Sequence, residues 1–163
     1  MARFFLLCAI MMLALFTSCQ RAPEVPEISI NEVWSRPVAV LAASAGTSSD
    51  SGMASMHHTG SNGVVYLIVE NRGSADRLLR AHSEVCAVTE IHQTIMEGDR
   101  MMMQQAEGGL AIPARGNVTL APRGHHIMLI DLQRSLAAGD SFEVHLEFEK
   151  SGVKTVFSKV RQP

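Results

Sequence analysis

Two histidines and two methionines stand at spacings that would let them share one metal ion. His126 and Met128 are two positions apart in a run typical of a β-strand, so their side chains project from one face. His92 ends an earlier run of this kind, and a turn signal separates it from Met103, so a hairpin would bring the two together. Thioether sulfur is soft, neutral and a poor ligand for zinc, calcium or magnesium, whereas Cu(I) accepts it readily. The sequence therefore predicts a Cu(I) site whose four neutral ligands suit transfer of the ion.

The methionines beside this set have competing interpretations, because methionine also fills hydrophobic cores. Met101, Met102 and Met103 are consecutive, and consecutive strand residues cannot all face one way. Met102 has the opposite parity and is predicted to be structural. Met101 has the parity of Met103 and is an auxiliary candidate ligand.

Three further histidines are assigned less specific roles. His125 adjoins His126 but points to the other face, and the sequence leaves its contribution open. His82 and His145 are interpreted as surface or internally satisfied residues.

A stretch at about 42–62 is rich in Ser, Gly, Ala and Thr, with too little apolar material to pack as a strand. We predict a mobile loop. It contains four candidate auxiliary ligands: Met53, Met56, His57 and His58. They could supply extra ligands or hold a second copper as Cu(II), or the loop could be a solvated insertion whose His and Met are incidental.

The elements that must position these residues are short β-type runs separated by turn residues. The clearest run is Ser141 to Phe148, in which Phe142, Val144 and Leu146 alternate with polar residues, so one face is buried. Strands are also predicted at 28–34, 63–70, 85–95, 117–120, 126–132 and 154–160. No helix-period segment of comparable length follows the N-terminal region. The sequence predicts one all-β domain, a sandwich or barrel.

The N-terminus has the pattern of an export signal. Residues 1–18 combine Arg3 with an apolar run too short to span a bilayer as a helix. The segment before Cys19 resembles a bacterial lipobox, which implies lipidation of Cys19 and attachment to a membrane in the cell envelope; ordinary signal cleavage nearby is the alternative. Residues 19–27 are predicted to be a tether and 28–163 the folded domain. Cys86 would then be the domain's single cysteine, without a disulfide partner.

Composition and motifs restrict the function. A formal net charge of −2 provides no broad basic field, so nucleic acid is not expected as a partner. Cys86 lacks a Cys-X-X-Cys partner, and no Gly-X-Ser-X-Gly motif occurs, so an enzyme is not predicted. The alternatives are a copper-dependent redox enzyme and an adhesion or scaffold sandwich without metal.

At these residues the chain resembles the periplasmic copper chaperones called PCuAC, with their His-X10-Met-X21-His-X-Met signature. His92 and Met103 have the family spacing, and His126 and Met128 complete the pattern after 22 intervening residues instead of about 21. The extra residue is placed in the turn at 107–109. The resemblance covers about residues 28–160. It implies a cupredoxin-like or immunoglobulin-like sandwich that supplies copper to respiratory cytochrome c oxidase, commonly at the copper centre of subunit II, or passes it to another chaperone.

Overall fold

A computed structural model describes residues 24–40 and 61–162. The predicted signal peptide, Cys19 and the candidate ligands at 53–58 lie outside these ranges. The described residues form ten β-strands: β1 Ile28–Ser35, β2 Gly63–Asn71, β3 Asp76–His82, β4 Cys86–Glu97, β5 Arg100–Gln105, β6 Leu110–Ile112, β7 Gly116–Leu120, β8 His125–Leu132, β9 Ser141–Phe148 and β10 Gly152–Val160. No helix in this part of the chain is long and apolar enough to cross a bilayer.

The strands pair in the order β5-β4-β8-β7-β2-β1-β10-β9-β3-β6, and β8 also pairs with β2. Most neighbours are antiparallel. β1 runs antiparallel to β2 and parallel to β10, so it joins the β5-to-β2 half of the sheet to the β10-to-β6 half. The protein is an all-β domain with the cupredoxin-like or immunoglobulin-like sandwich fold, as the sequence predicted.

The core lies between these two halves and follows the strand periodicity of two. In β9, Phe142, Val144, Leu146 and Phe148 are buried, as their alternation with polar residues predicted. Ile127 in β8 is fully buried and packs in the same core. The core thus fixes which face each strand turns to solvent.

Two strands escaped the sequence prediction. β3 pairs with β9, but its register shifts between Leu78 and Arg80, so buried and exposed residues do not alternate cleanly along it. β6 has three residues, Leu110–Ile112, too few to show a period. Both are defined by their pairing partners and not by their own pattern.

Residues 24–27, the end of the segment assigned to the tether, are attached to the β2–β3 turn. Val25 O accepts a hydrogen bond from Ser74 N at 3.2 Å, and Glu27 O accepts one from Arg72 N at 3.0 Å. A Cβ on Gly73 would lie 1.9 Å from Val25 O, so this approach requires glycine. Residues 24–27 are therefore bonded to the folded domain.

Candidate metal centre

The predicted ligands lie on the ribbon formed by β5, β4 and β8. His92 of β4 is the direct cross-strand partner of His126 of β8, and Met128 of β8 faces Glu90 of β4. Direct partners in an antiparallel pair project to the same side of the sheet. His92, His126 and Met128 therefore share one face, which we call the site face.

The two imidazole rings are separated by a distance that one ion can bridge. Their centroids are 5.8 Å apart, with an angle of 66° between the ring planes. Two imidazoles that bind one ion through nitrogens at about 2.0 Å place their ring centres roughly 5–6 Å apart. The backbone therefore places His92 and His126 at a separation that fits chelation of one ion.

The opposite side of the ribbon belongs to the core. Ile91, Ile127 and Leu129 alternate with the site-face residues and are at most 5% exposed. Turning His126 to the other face would expose this apolar row, since a one-residue slip reverses every side chain of a strand. Core packing thus determines the direction of the candidate ligands.

His126 is buried, at 4% exposure, and its ring is held by the backbone. Its Nδ1 lies 3.1 Å from Gly124 O, and because a carbonyl oxygen can only accept, Nδ1 carries the proton in this hydrogen bond. Nε2 then keeps its lone pair, the form that binds a metal. His126 is thus buried although it lies on the face of β8 opposite Ile127 and the core.

Burial lowers the pKa of the His126 imidazole. The hydrogen bond to Gly124 acts in the opposite direction, and the nearby His92 and His125 lower the pKa further. The net decrease keeps His126 neutral to a lower pH than an exposed histidine. Protons therefore compete less with a metal for this nitrogen.

His92 is held by a carboxylate. Its Nε2 lies 2.7 Å from Glu90 Oε2, and both side chains are largely buried, at 15% and 29% exposure. The other ring nitrogen, Nδ1, is buried and has no hydrogen-bond partner. If Nε2 donates its proton to Glu90, Nδ1 offers an unprotonated lone pair. A carboxylate behind a histidine is a common support for a metal ligand, and no sequence pattern had indicated this role for Glu90.

The two thioethers differ in position. Met128 is partly buried and faces Val64 of β2 as well as Glu90. Met103 of β5 pairs with Thr94 and therefore lies diagonally across from His92 on the site face. It is 64% exposed. His92, His126 and Met128 form the enclosed part of the candidate site, and Met103 lies at its open edge.

Aromatic residues continue the site face on the side of β2. Tyr66 follows Val64 by two positions and is buried, and Trp34 of β1 is its cross-strand partner. Their ring centroids are 4.8 Å apart, and the Arg161 guanidinium lies 4.9 Å from the Trp34 ring centre. The site face is thus aromatic towards β2, whereas all six residues of β5 are exposed.

Several other candidate residues lie elsewhere. His125 pairs with Gln93 and faces the side of β8 opposite His126. Met102 also has the parity opposite to the site face, but at 45% exposure it is not the core residue that was predicted. His82 and His145 are cross-strand partners on β3 and β9, with ring centroids 6.1 Å apart; His82 is exposed and His145 partly buried.

Cys86 is a free, buried cysteine. Burial raises the pKa of its thiol, which disfavours the thiolate that a metal ion would require. Within residues 24–40 and 61–162, no group of three or more His, Cys, Asp or Glu side chains is placed to hold a metal ion. The two histidines of the site face are accompanied by thioethers.

The fold is that of the PCuAC domains. The structure resembles a copper-bound PCuAC domain from PmoF2, with a TM-score of 0.58 and 25% identity over 86% of this chain and 98% of that one. It also resembles the apo PCuAC domain from PmoF1, with a TM-score of 0.60 and 22% identity over 86% and 99% of the two chains. The solution structure of CuI-DR1885 from Deinococcus radiodurans aligns with a TM-score of 0.50 and 20% identity, covering 91% of this chain and 85% of that one.

Sequence comparison assigns the family. The profile of the LpqE-like lipoprotein family matches residues 28–160, and the chain belongs to this family. It is 34% identical over 94 residues to a protein of Leifsonia xyli subsp. xyli described as a lipoprotein, Lxx21020, covering 57% of each chain. It is 32% identical over 101 residues to the uncharacterized protein RP573 of Rickettsia prowazekii, covering 61% of this chain and 56% of that one. The chain therefore spans just over half the length of these curated relatives.

Proposed function

We propose that this protein is a copper chaperone that binds one Cu(I) through His92, Met103, His126 and Met128 and delivers it to another protein outside the cytoplasm. The observation that carries the proposal is the pairing of His92 with His126 across β4 and β8, with Met128 on the same face. The likeness to a copper-bound PCuAC domain supports it. No catalytic step is part of this function.

The donor set favours Cu(I) over harder ions. Two imidazoles and two thioethers are neutral, and thioethers bind zinc, calcium and magnesium poorly. Each histidine has one nitrogen engaged, with Gly124 O for His126 and with the Glu90 carboxylate for His92. The remaining nitrogen of each ring is then available without a proton having to be removed.

The same site is suited to release. Because all four ligands are neutral, the complex keeps the single positive charge of Cu(I), and no thiolate anchors the ion. Met103 at the exposed edge is the donor that an incoming ligand can replace first. Because an acceptor can replace the donors one at a time, the ion need never be free in solution.

We further propose that the chain acts at the bacterial cell envelope, anchored by lipid on Cys19, with residues 1–18 as its signal peptide and 28–163 as the copper domain. Residues 19–27 form the proposed tether, and its last four residues are hydrogen-bonded to the domain. Family membership supports an envelope lipoprotein. The proposed recipient is the copper centre of cytochrome c oxidase subunit II or another copper chaperone. Met53, Met56, His57, His58 and Met101 remain proposed auxiliary ligands, with a second copper as Cu(II) the proposed cargo of the 42–62 segment.

Anaerobic titration with Cu(I) against a chromophoric Cu(I) chelator tests the proposal. The wild-type protein should bind one tight equivalent. The double variant His92→Ala, Met128→Ala removes two of four donors and should lose more than the roughly 100-fold seen when an outer-shell partner alone is lost. A matched control, His82→Ala with His145→Ala, removes the other cross-strand histidine pair and should leave this equivalent unchanged. Equal losses in the two double variants would contradict the proposal.

A further inference from the structure

Four exposed methionines cluster at the hairpin of β4 and β5. Met96, Met101, Met102 and Met103 are 63%, 57%, 45% and 64% exposed. Large apolar side chains that are exposed together commonly mark a functional surface. The turn between the two strands carries charged residues. Four positions on the strands beside it are nevertheless occupied by methionine.

The register separates the four into two sets. Met96 is the direct cross-strand partner of Met101, and Met103 is the partner of Thr94. Because Met96 and Thr94 follow His92 in steps of two, Met96, Met101 and Met103 all lie on the site face. Met102 pairs with Ile95 and lies on the reverse face.

The three thioethers on the site face are close enough to act on one ion in turn. Cβ atoms of directly opposed strand residues are about 5 Å apart, and diagonal neighbours about 7–8 Å, within reach of long side chains. Met96 and Met101 are directly opposed. Met103 is diagonal to Met96 on one side and to His92 on the other. Thioethers therefore form an unbroken series from the hairpin tip to the buried histidine pair.

We propose that Met96 and Met101, together with Met103, form an outer, thioether-only Cu(I) site through which the ion enters and leaves the histidine site. This inference rests on the proposed function. Copper remains Cu(I) throughout: at each step a bond to one neutral donor forms as a bond to another breaks, and no electron or proton is transferred. Met103 is shared between the outer and inner sites.

The position of the outer site explains its donor types. Thioethers do not protonate, so the weak binding of Cu(I) by exposed methionines does not depend on pH. Imidazoles bind Cu(I) only when they are neutral. On the β2 side the site face continues into the buried Tyr66, whereas all six residues of β5 are exposed, which favours the β5 side for exchange. The partner that fits the outer site is a protein with soft sulfur or imidazole donors for Cu(I).

Methionine methyl NMR of the full chain with anaerobic Cu(I), which is diamagnetic, tests the assignment directly. The first equivalent should shift the methyl signals of Met128 and Met103. The second should shift those of Met96 and Met101 and leave Met102 unmoved. A second equivalent that leaves the methyl signals of Met96 and Met101 unchanged, or moves Met102 equally, would overturn the proposal.

Exchange kinetics test the role in transfer. The double variant Met96→Leu, Met101→Leu keeps the apolar surface and removes only the sulfur, and Met102→Leu is its control on the reverse face. Affinity for the first Cu(I) should stay within about twofold of wild type. The rate of Cu(I) removal by a small chelator should fall about tenfold in the double variant alone, as for an intermediate destabilised by about 1.4 kcal/mol.

The outcomes separate the two hypotheses. If wild type binds Cu(I) tightly and the double variant exchanges it as fast as wild type, the outer site is wrong and the chaperone function stands. If Met102→Leu slows exchange as much as the double variant does, the hairpin acts as an apolar surface and the outer site is again wrong. If wild type binds no Cu(I), both proposals fail.

Discussion

The contact between Glu90 and His92 provides a sharp prediction, because it joins a charged carboxylate to a proposed copper ligand. Replacing Glu90 by Gln keeps the size of the side chain and an acceptor oxygen, but removes the negative charge that lies 2.7 Å from His92 Nε2. The neutral amide should hold the Nε2 proton less firmly. His92 would then spend less time with Nδ1 unprotonated and available to copper.

The magnitude follows from the geometry. Loss of an outer-shell partner of a metal-bound histidine typically costs about 10–100-fold in affinity. Glu90→Gln retains a hydrogen bond and should lie near tenfold, or about 1.4 kcal/mol. Glu90→Ala removes the acceptor entirely and should approach 100-fold. Both side chains are mostly shielded from solvent, so added salt should weaken the effect only slightly.

Competition with a chromophoric Cu(I) chelator measures these affinities, and thermal denaturation of the apo protein checks the fold. The matched control is Glu143→Gln, because Glu143 Oε1 lies 3.8 Å from His145 Nε2 on the other half of the sheet. This control should leave Cu(I) affinity unchanged. Wild-type affinity in Glu90→Ala, or equal losses in Glu90→Gln and Glu143→Gln, would refute the role assigned to Glu90.

Four further outcomes are expected. In the apo protein the pKa of the His126 imidazole should lie below the usual value of about 6.5. The unfolded state then binds the proton first, so the free energy of unfolding should fall as the pH drops below about 6.5. A His126 pKa at or above 6.5, measured by NMR, would contradict this. Burial raises the pKa of Asp76, but hydrogen bonds from Ser151, Arg77 and Lys150 outweigh it and lower the pKa overall. Asp76→Ala should therefore lower the free energy of unfolding by about 1–3 kcal/mol at neutral pH, measured by urea denaturation. This difference should shrink as the pH falls below about 3.8 and through the lowered pKa of Asp76. A difference that does not depend on pH would argue against this contribution. Deleting residues 48–60 should leave one Cu(I) bound and reduce uptake of Cu(II), measured by metal analysis, and loss of Cu(I) binding would show that the inner site needs this segment. Cys19→Ser should move the protein from the detergent to the aqueous phase in partitioning experiments, and unchanged partitioning would exclude a lipid anchor on Cys19.

The parity of β8 was predictable from the sequence, because the alternation is local. Ile127 and Leu129 are aliphatic and alternate with the polar His126, so the face that carries them had to enter the core. The pairing of His92 with His126 joins residues more than thirty positions apart, and a local pattern does not specify it. Of the strand pairings that form the site, only the hairpin that joins His92 to the methionines could be predicted from the sequence.

The supporting contacts could not be predicted, because they depend on rotamers and on neighbouring strands. Glu90 and Gly124 became visible as partners of the two histidines only in three dimensions. Met102 was assigned to the core by parity, yet it is exposed because β5 is an edge strand whose six residues are all exposed. Parity identifies a face of a strand but not what covers that face.

X-ray absorption spectroscopy of the protein loaded with one Cu(I) determines whether histidine and methionine side chains bind the ion together. We expect a first shell of mixed nitrogen and sulfur, with imidazole scattering from two histidines and sulfur from Met128 and Met103. His126→Ala should remove one imidazole from this shell, and Met128→Leu one sulfur. A reduced complex with only nitrogen and oxygen ligands, or a shell that neither substitution alters, would contradict the account.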